Sequence, residues 1–542
     1  MIVQKTTIIA LFLSSFLWAA GHSCGTMQAL ENLTAKDRKN IAAAVSDASQ
    51  KCSVESYYDS VYTRTTPHFQ IFYTLKGPHA TTRAYIDSLA AQLEKSWSFH
   101  VEKNQMQPPL GMDTTVHFLR PVQSGLYPVE VLELNLVRNP KSIYGGTGFC
   151  DECFAVTTFK SRKDWQKSEL LIENDFIVVD RSSPSYASLD VNGKKCSYWE
   201  STKEITNTYQ NYSYAKKWNN AIRVTVFHEL YHAIQVRYLN PFEHLNFWYE
   251  ASATGMEELG APDINDYFRY IPTFLGATGN PMDASNTQYG ASLFFLYLYN
   301  HVAHSFDKSL WEAFSKNPEK EFWQQYSQVL EARKESPQDH FQSFAEKLFF
   351  SGSKTAAADT SLWISKDQPK WSDAPYKIAF DGFVPDSSTF AYNYYASGFP
   401  NLSNYSGKAS VILFKNGHAR IRNISDIASL DSIRTECFQA DSLFWIFSRF
   451  ASPSTLPDHS IKKDLRAYPS PWRQGSLCFS PLPQEKNFVE IRNRRGELVH
   501  REKYSSETLC LDENFIKSKM VPGVYRYRAG SSGKTKDFII IY

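Results

Sequence analysis

The stretch Ile222-Arg223-Val224-Thr225-Val226-Phe227-His228-Glu229-Leu230-Tyr231-His232-Ala233-Ile234-Gln235 decides how the rest of the chain is read. Asn219 or Asn220 stands where a helix cap is needed and Pro241 closes the segment, so the pattern predicts a helix. On a helix, His228 and His232 are four residues apart and leave the same face one turn from each other. Two imidazole nitrogens so placed suit one Zn²⁺. Glu229 follows the first histidine and leans toward the place where a water beside the metal needs a general base. The third ligand decides the class. A histidine six residues after His232 is excluded, because that position is Tyr238. His244 falls close to Asn240 and Pro241, in a loop. Glu250 comes 18 residues after His232, inside Phe247-Trp248-Tyr249-Glu250-Ala251-Ser252-Ala253-Thr254-Gly255-Met256-Glu257-Glu258, which reads as a second helix closed by Gly260 and Pro262. A turn between two packed helices can bring the Glu250 carboxylate to the metal. Two His and one Glu then leave a fourth position open for water, as a catalytic zinc site requires. Glu257 and Glu258 compete for that role, and a solvated helix face is the alternative reading of Glu250.

Working outward, the N-terminal side mixes strands and helices. Leu30 to Ala48 has helical spacing, Phe69 to Tyr73 reads as a strand and Ala84 to His100 as an amphipathic helix. Thr115 to Leu119 and Phe176 to Val179 are expected to be short strands. Residues 140–165 and 180–215, rich in Gly, Ser, Asn and Tyr, read as long irregular insertions. From Asn219 to about Phe350 the pattern is helical. Strands before the motif and helices after it predict an α+β domain, with a sheet packed on the motif helix. After Ser351 short alternating runs such as Val411 to Phe414 indicate a β-rich region. Ala451-Ser452-Pro453-Ser454-Thr455-Leu456-Pro457 reads as a linker to a last region of alternating strands and turns. The expected divisions are therefore a signal segment (1–21), the α+β domain (22–355), a β-rich accessory domain (356–461) and a small β-sandwich (462–542).

The composition excludes several classes. The 542 residues carry 58 Lys+Arg against 56 Asp+Glu, a net charge of +2. That balance argues against a nucleic-acid binder, which would show a basic excess, and against an acidic disordered chain. The 24 Gly and 25 Pro are too few for a low-complexity protein. Lys5, the apolar run Ile8 to Ala20 and the small residues ending at Gly21 read as a secretory signal peptide. A lipid-anchored reading through Cys24 is weaker, because Gly21 and His22 fit a lipobox poorly. No later stretch is long and apolar enough for a transmembrane helix. The eight cysteines fit structural disulfides in an exported chain. Cys150-Asp151-Glu152-Cys153 lacks the second CxxC of a zinc knuckle.

The HExxH…E arrangement, with Trp248 and Ala253 around the Glu, resembles the gluzincins, the class of thermolysin and the zinc aminopeptidases. A wider resemblance is to a family of secreted bacterial zinc metalloproteases. It is carried by Pro67 to Tyr73, Glu173-Asn174-Asp175-Phe176, His228 to Gln235, Trp248 to Ala253, Asn265-Asp266-Tyr267 and Tyr289 to Phe295. The resemblance implies a zincin-like fold, with His228, His232 and Glu250 as Zn²⁺ ligands and Glu229 as the general base of peptide hydrolysis. It also implies a residue to hold the developing oxyanion, for which Tyr289 is the candidate; a core aromatic is the alternative reading. No Gly-Ala-Met-Glu-Asn anchor for a free amino terminus is present, which favours an endopeptidase.

The tail has its own resemblance. Leu465 to Arg473, Val489 to Arg492, Gly496 to Val499, Val521 to Tyr525 and Lys536 to Ile540 follow the order of the C-terminal sorting domain of type IX secretion cargo, although Ser470 stands where Asn is usual. That resemblance implies the type IX machinery as a partner and the cell surface or medium as the destination. Residues 462–542 carry a net +7 and the rest −5, so a basic docking surface is possible as well as a plain solvated face. A carbohydrate-binding module is the other reading of this domain, with Trp472, Tyr525 and Tyr527 stacking on sugars. Cys478 and Cys510 fall in two strands of the same small domain and are expected to form a disulfide. Two functions remain for the whole chain: a secreted zinc endopeptidase, or a surface binding or adhesion protein with a catalytically inactive zincin domain.

Overall fold

The computed structural model describes residues 60–134, 136, 153–159, 163–180, 182–183, 185–191, 194–241, 247–284, 287–385, 388–450, 466–468, 477–480, 488–493, 497–504, 509–529 and 536–540. The signal segment 1–21, Cys24, the Leu30–Ala48 helix, Cys150, His244, the 451–457 linker and Trp472 lie outside them. The chain divides into two compact units, Met1–Pro453 and Ser454–Tyr542, and the division falls within the stretch read as a linker.

The sheet of the first unit contains β1 (Tyr62–Thr65), β2 (Phe69–Tyr73), β3 (Leu110–Gly111), β4 (Tyr127–Leu132), β5 (Ala155–Phe159) and β6 (Lys167–Glu173), in the order β1-β2-β4-β6-β3 with β5 also paired to β6. β2, β4, β6 and β3 run parallel, whereas β1 and β5 are antiparallel to their neighbours. β4 and β5 are buried along their whole lengths, as expected of strands covered on both faces. β4, β5 and β6 are missing from the sequence reading. Their apolar runs (Val129 to Leu132, Ala155 to Phe159 and Leu170 to Ile172) are the signal that could have found them.

Two helices pack on the sheet and on each other, and a third packs on the second. α1 (Arg83–Trp97) is capped by Thr82, whose hydroxyl accepts from the Tyr85 N–H, and continues as a wider turn through Ser98–Lys103. α2 (Trp218–Gln235) is the motif helix and α3 (Trp248–Gly260) follows it. α2 begins one residue before Asn219 and has no side-chain cap. The Asn219 side chain is instead engaged by Ser88 of α1, at 2.5 Å. Both α2 and the middle of α3 are buried almost all round, so their stability comes from packing rather than from a cap.

Two expectations are corrected here. Thr115–Leu119 is a loop, not a strand. The N–H groups of Val116, His117 and Phe118 go to the carboxylates of Glu169 and Glu130, and Leu119 sits at φ +53°. A strand ladder cannot form once those donors are taken. The 180–215 stretch is not irregular. It holds antiparallel pairs between Tyr186–Val191 and Lys194–Trp199 and between Thr206–Asn207 and Tyr212–Ser213, and Ser201–Glu204 pairs with Ile177–Val179.

The division expected at 355/356 falls inside the first unit. A second sheet of Lys377–Ile378, Ala391–Ala396, Ser442–Arg449, Lys408–Lys415 and His418–Ile424, in that spatial order, packs against helices that precede the expected boundary. Trp323 stacks on Phe390 at 4.5 Å, and Gln342 reaches Ser410 and Ser448 at 2.9 and 2.5 Å. An apolar core thus crosses the composition change that suggested two domains.

The second unit is two antiparallel sheets around one core. Arg466–Tyr468, Leu477–Ser480 and Leu509–Leu511 form one; Leu498–Lys503, Phe488–Asn493, Gly523–Ala529 and Lys536–Ile540 form the other. Leu477, Phe479 and Leu511 from the first meet Val489, Ile491, Tyr525 and Tyr527 from the second. Among the described residues, no helix is long and apolar enough to cross a membrane.

Candidate metal centre

α2 and α3 are held together before any metal is considered. The Tyr231 hydroxyl of α2 and the Trp248 indole N–H of α3 both donate to the buried Asp307 carboxylate, the latter at 2.8 Å. Burial raises the Asp307 carboxyl to about 6, against the pull of those donors. Two glycines let α3 come close. An added Cβ at Gly255 would stand 2.0 Å from the Phe295 ring, and one at Gly260 would stand 2.2 Å from the Phe227 ring of α2.

This packing brings His228, His232 and Glu250 together, with one ligand atom of each inside a 4.8 Å cluster. The two Nε2 atoms are 3.0 Å apart, and the Glu250 oxygens lie 3.2 Å from His228 Nε2 and 3.6 Å from His232 Nε2. The outer nitrogens are committed. His228 Nδ1 meets Glu257 Oε1 at 2.6 Å, and His232 Nδ1 meets Gln235 Oε1 at 2.7 Å. Gln235 must present its oxygen there, because its Nε2 donates to Tyr249 O and Ser252 Oγ, both at 2.9 Å. Each imidazole therefore carries its proton on Nδ1 and turns the Nε2 lone pair inward. Two lone pairs and a carboxylate facing one another repel unless a cation stands between them. This donor set, with its outer nitrogens already hydrogen-bonded, fits zinc.

Glu229 is directed differently from the ligands. Its Oε2 accepts from the Thr157 backbone N–H at 2.8 Å. The Thr157 hydroxyl lies 2.8 Å from the Glu229 carbonyl oxygen and 2.9 Å from Oε2. Thr157 belongs to β5, so the sheet sets the orientation of the expected base. Tyr289 is half-buried, and its ring stacks on Tyr270 at 4.8 Å, the surroundings of a core aromatic. Of the two competitors of Glu250, Glu257 backs His228, whereas Glu258 lies beside Asp367, where burial and that neighbour raise its carboxyl to about 9. Gln235 and Glu257 stood at helical spacing from His232 and Glu250 and were open to a sequence reading. Thr157 and Asp307, 72 and 76 residues from their partners, were not.

The centre is covered. Glu229 and Glu250 are 0% exposed and His228 is 2% exposed. A cavity of about 700 Å³ lies elsewhere in this unit, between Gly276–Asn280 and Tyr376, Asn393 and Tyr394.

In the second unit two of the three rings of the carbohydrate-binding reading are corrected; Trp472 lies outside the described residues. Tyr525 and Tyr527 are buried, and their hydroxyls are tied to the backbone of Val521 and Ala467 at 2.9 Å, so neither ring can stack on a sugar. Cys510 is disulfide-bonded, and the residue opposite it in the backbone register is Cys478. Cys153 is also disulfide-bonded, whereas Cys437 is free and buried.

The chain matches no family model and no curated protein. Among solved structures it is similar over a short stretch to PorZ, an essential bacterial surface component of the type IX secretion system of Porphyromonas gingivalis. The identity is 18% over 18% of this chain and 14% of that one, with a TM-score of 0.13. The chain thus spans about a seventh of that protein's length, and a likeness of this size carries no inference about fold or role.

Proposed function

We propose that the chain is a secreted zinc endopeptidase of zincin-like fold. The observation that supports it is the meeting of two inward Nε2 lone pairs and the Glu250 carboxylate, with both outer nitrogens already hydrogen-bonded. In this reading His228, His232 and Glu250 hold Zn²⁺. A bound zinc ion supplies Lewis acidity, which makes a water nucleophilic near neutral pH and polarises a carbonyl. Glu229 would take a proton from a water as the water oxygen attacks the scissile carbonyl carbon. It then gives the proton to the amide nitrogen as the C–N bond breaks. Thr157 keeps the Glu229 carboxylate in place throughout. Tyr289 is the candidate for the developing oxyanion that the gluzincin resemblance implies, with its stacking on Tyr270 as the competing, structural role.

The second reading, a surface binding or adhesion protein with an inactive zincin domain, draws on the burial of the centre. One experiment separates the two: casein hydrolysis by the purified full chain, with and without a chelator. Hydrolysis that the chelator abolishes and zinc restores is expected. Glu229→Gln should keep bound zinc and lose at least about 100-fold in kcat, since it removes the base and leaves the ligands. Tyr289→Phe should lower kcat with little change in KM. Full activity of Glu229→Gln would sink the mechanism, and no hydrolysis at all would favour the binding protein.

For the second unit we propose type IX sorting to the cell surface. The order of its sequence motifs and its two-sheet core support this reading. The test is the fate in cells of a chain ended after Pro453.

A further inference from the structure

The face of the first sheet turned away from α2 carries charge that the proposed chemistry does not use. Thr157 and Leu170 are register partners, and Thr157 meets α2. Side chains alternate along a strand, so Glu169 and Leu171 of β6 point to the opposite face, with Glu130 of β4 beside Leu171. Glu130 and Glu169 are both 0% exposed. The 115–118 loop lies over them. Val116 N–H donates to both oxygens of Glu169 at 3.1 Å. Glu130 accepts from Phe118 N–H at 2.7 Å and from His117 N–H at 3.1 Å. Thr115 adds a side-chain hydrogen bond to Glu130, and Glu130 and Glu169 hydrogen-bond to each other; none of these partners is a cation. Burial raises both carboxyls, Glu130 to about 7 and Glu169 well above the usual range, where Glu130 adds its repulsion.

The His117 imidazole supplies the second observation. It is 8% exposed and within ligand reach of both carboxylates, the three residues offering one ligand atom each inside a 4.8 Å cluster. Its Nε2 is buried and has no hydrogen-bond partner among the described residues. Burial lowers this imidazole to about 4, so it is neutral near pH 7 and able to ligate. An idle imidazole nitrogen beside two buried acids is costly for a fold.

We propose that His117, Glu130 and Glu169 form a second metal site, which takes a divalent transition ion and fastens the 115–118 loop across β4 and β6. One imidazole with two carboxylates suits zinc or manganese better than calcium, which prefers oxygen ligands alone. The ion would neutralise the pair and occupy the idle nitrogen. A proton shared between the two carboxyls is the competing way to neutralise them, and metal content distinguishes the two.

The test is zinc stoichiometry of the full chain, loaded with Zn²⁺ and freed of excess by dialysis. Two ions per chain are expected. His117→Gln should leave one ion and a lower melting temperature, with hydrolysis retained. His228→Ala should also leave one, and the double variant none. His117 gives its side chain to no described hydrogen bond, so its replacement spares the fold; Glu169→Gln, which keeps the shape of the side chain, is the second variant. Zinc content unchanged by both His117→Gln and Glu169→Gln would overturn the site in favour of the shared proton. A single ion that only His228→Ala removes would do the same. A single ion lost in His117→Gln but kept in His228→Ala would support this site and refute the catalytic centre, so the two readings fail separately.

Discussion

Thr157 holds the expected base through its backbone N–H and its hydroxyl. Both reach Glu229 Oε2 from β5, a strand separated from α2 by sequence but adjacent in space. A carboxylate held from a different element keeps its position only while the sheet and the helix stay in register. Replacing Thr157 with Val removes the hydroxyl and keeps the backbone donor. A charge-assisted hydrogen bond lost at this site predicts a fall of about 10-fold or more in kcat with bound zinc unchanged. Thr157→Ser should restore the rate, which a change in packing alone would not explain. At this scale the sequence was most informative. The histidine spacing and the carboxylate 18 residues on were readable because both lie on helices with a regular repeat. The supports from Thr157 and Asp307 arise from tertiary contacts that no local pattern encodes.

Elements position these residues through close approach. α3 lies against Phe295 at Gly255, where the ring is fully buried and cannot retreat. A methyl group there must displace the ring or the helix. Gly255→Ala, which in a free helix would stabilise by about 1 kcal/mol, should instead destabilise the first unit by about 1–3 kcal/mol through overpacking. It should also weaken zinc binding, because Glu250 rides on the same helix; thermal unfolding and zinc competition read the two effects. Misread elements have physical causes as well. Thr115–Leu119 has the composition of a strand, but the carboxylates beneath it capture its backbone donors. Residues 155–159 were lost among insertion-like neighbours although their own run is apolar.

A pH-sensitive element lies in the second unit. Glu490, buried on its strand, is opposite Arg501 on one side and Arg528 on the other. The guanidinium groups of Arg501 and Arg528 hold its carboxyl at about 2, below the 4.5 of an ordinary glutamate. Because the folded value is depressed, the stabilisation is present above about 4.5 and is lost as pH falls toward about 2. Amide exchange over 488–529, followed from pH 6 down to about 2, should show protection falling in that window. Glu490→Gln should remove the pH dependence there and lower protection at neutral pH. A protection profile flat from pH 6 to about 2 in the unaltered chain would refute the role given to the arginines.

At the scale of the whole molecule, the two units carry separate cores and different fastenings. The first carries the candidate metal cluster of His228, His232 and Glu250 on α2 and α3 and a disulfide-bonded Cys153, and the second has a disulfide-bonded Cys510 opposite Cys478. The sequence reads a linker in the Ser-Pro-rich stretch 451–457, where composition changes, and the division between the two compact units falls within that stretch. It placed a further break near 355 where composition also changes but an aromatic core runs through, and composition is blind to which surfaces meet. Separate cores make a separable response. Ending the chain after Pro453 should leave zinc content and peptidase activity intact, since every residue of the metal centre and its supports precedes the cut. Reduction should weaken the second unit by about 2–4 kcal/mol if Cys478 and Cys510 are the bridged pair, since the bridge closes a long loop of a small domain; the disulfide-bonded Cys153 makes the first unit sensitive to reduction as well. Peptide mapping of the unreduced chain identifies the pair directly. In cells, the chain ended at Pro453 should accumulate in the periplasm with its activity retained if the second unit is the export signal. Its normal appearance at the surface or in the medium would remove the sorting role and leave the sandwich as an accessory domain.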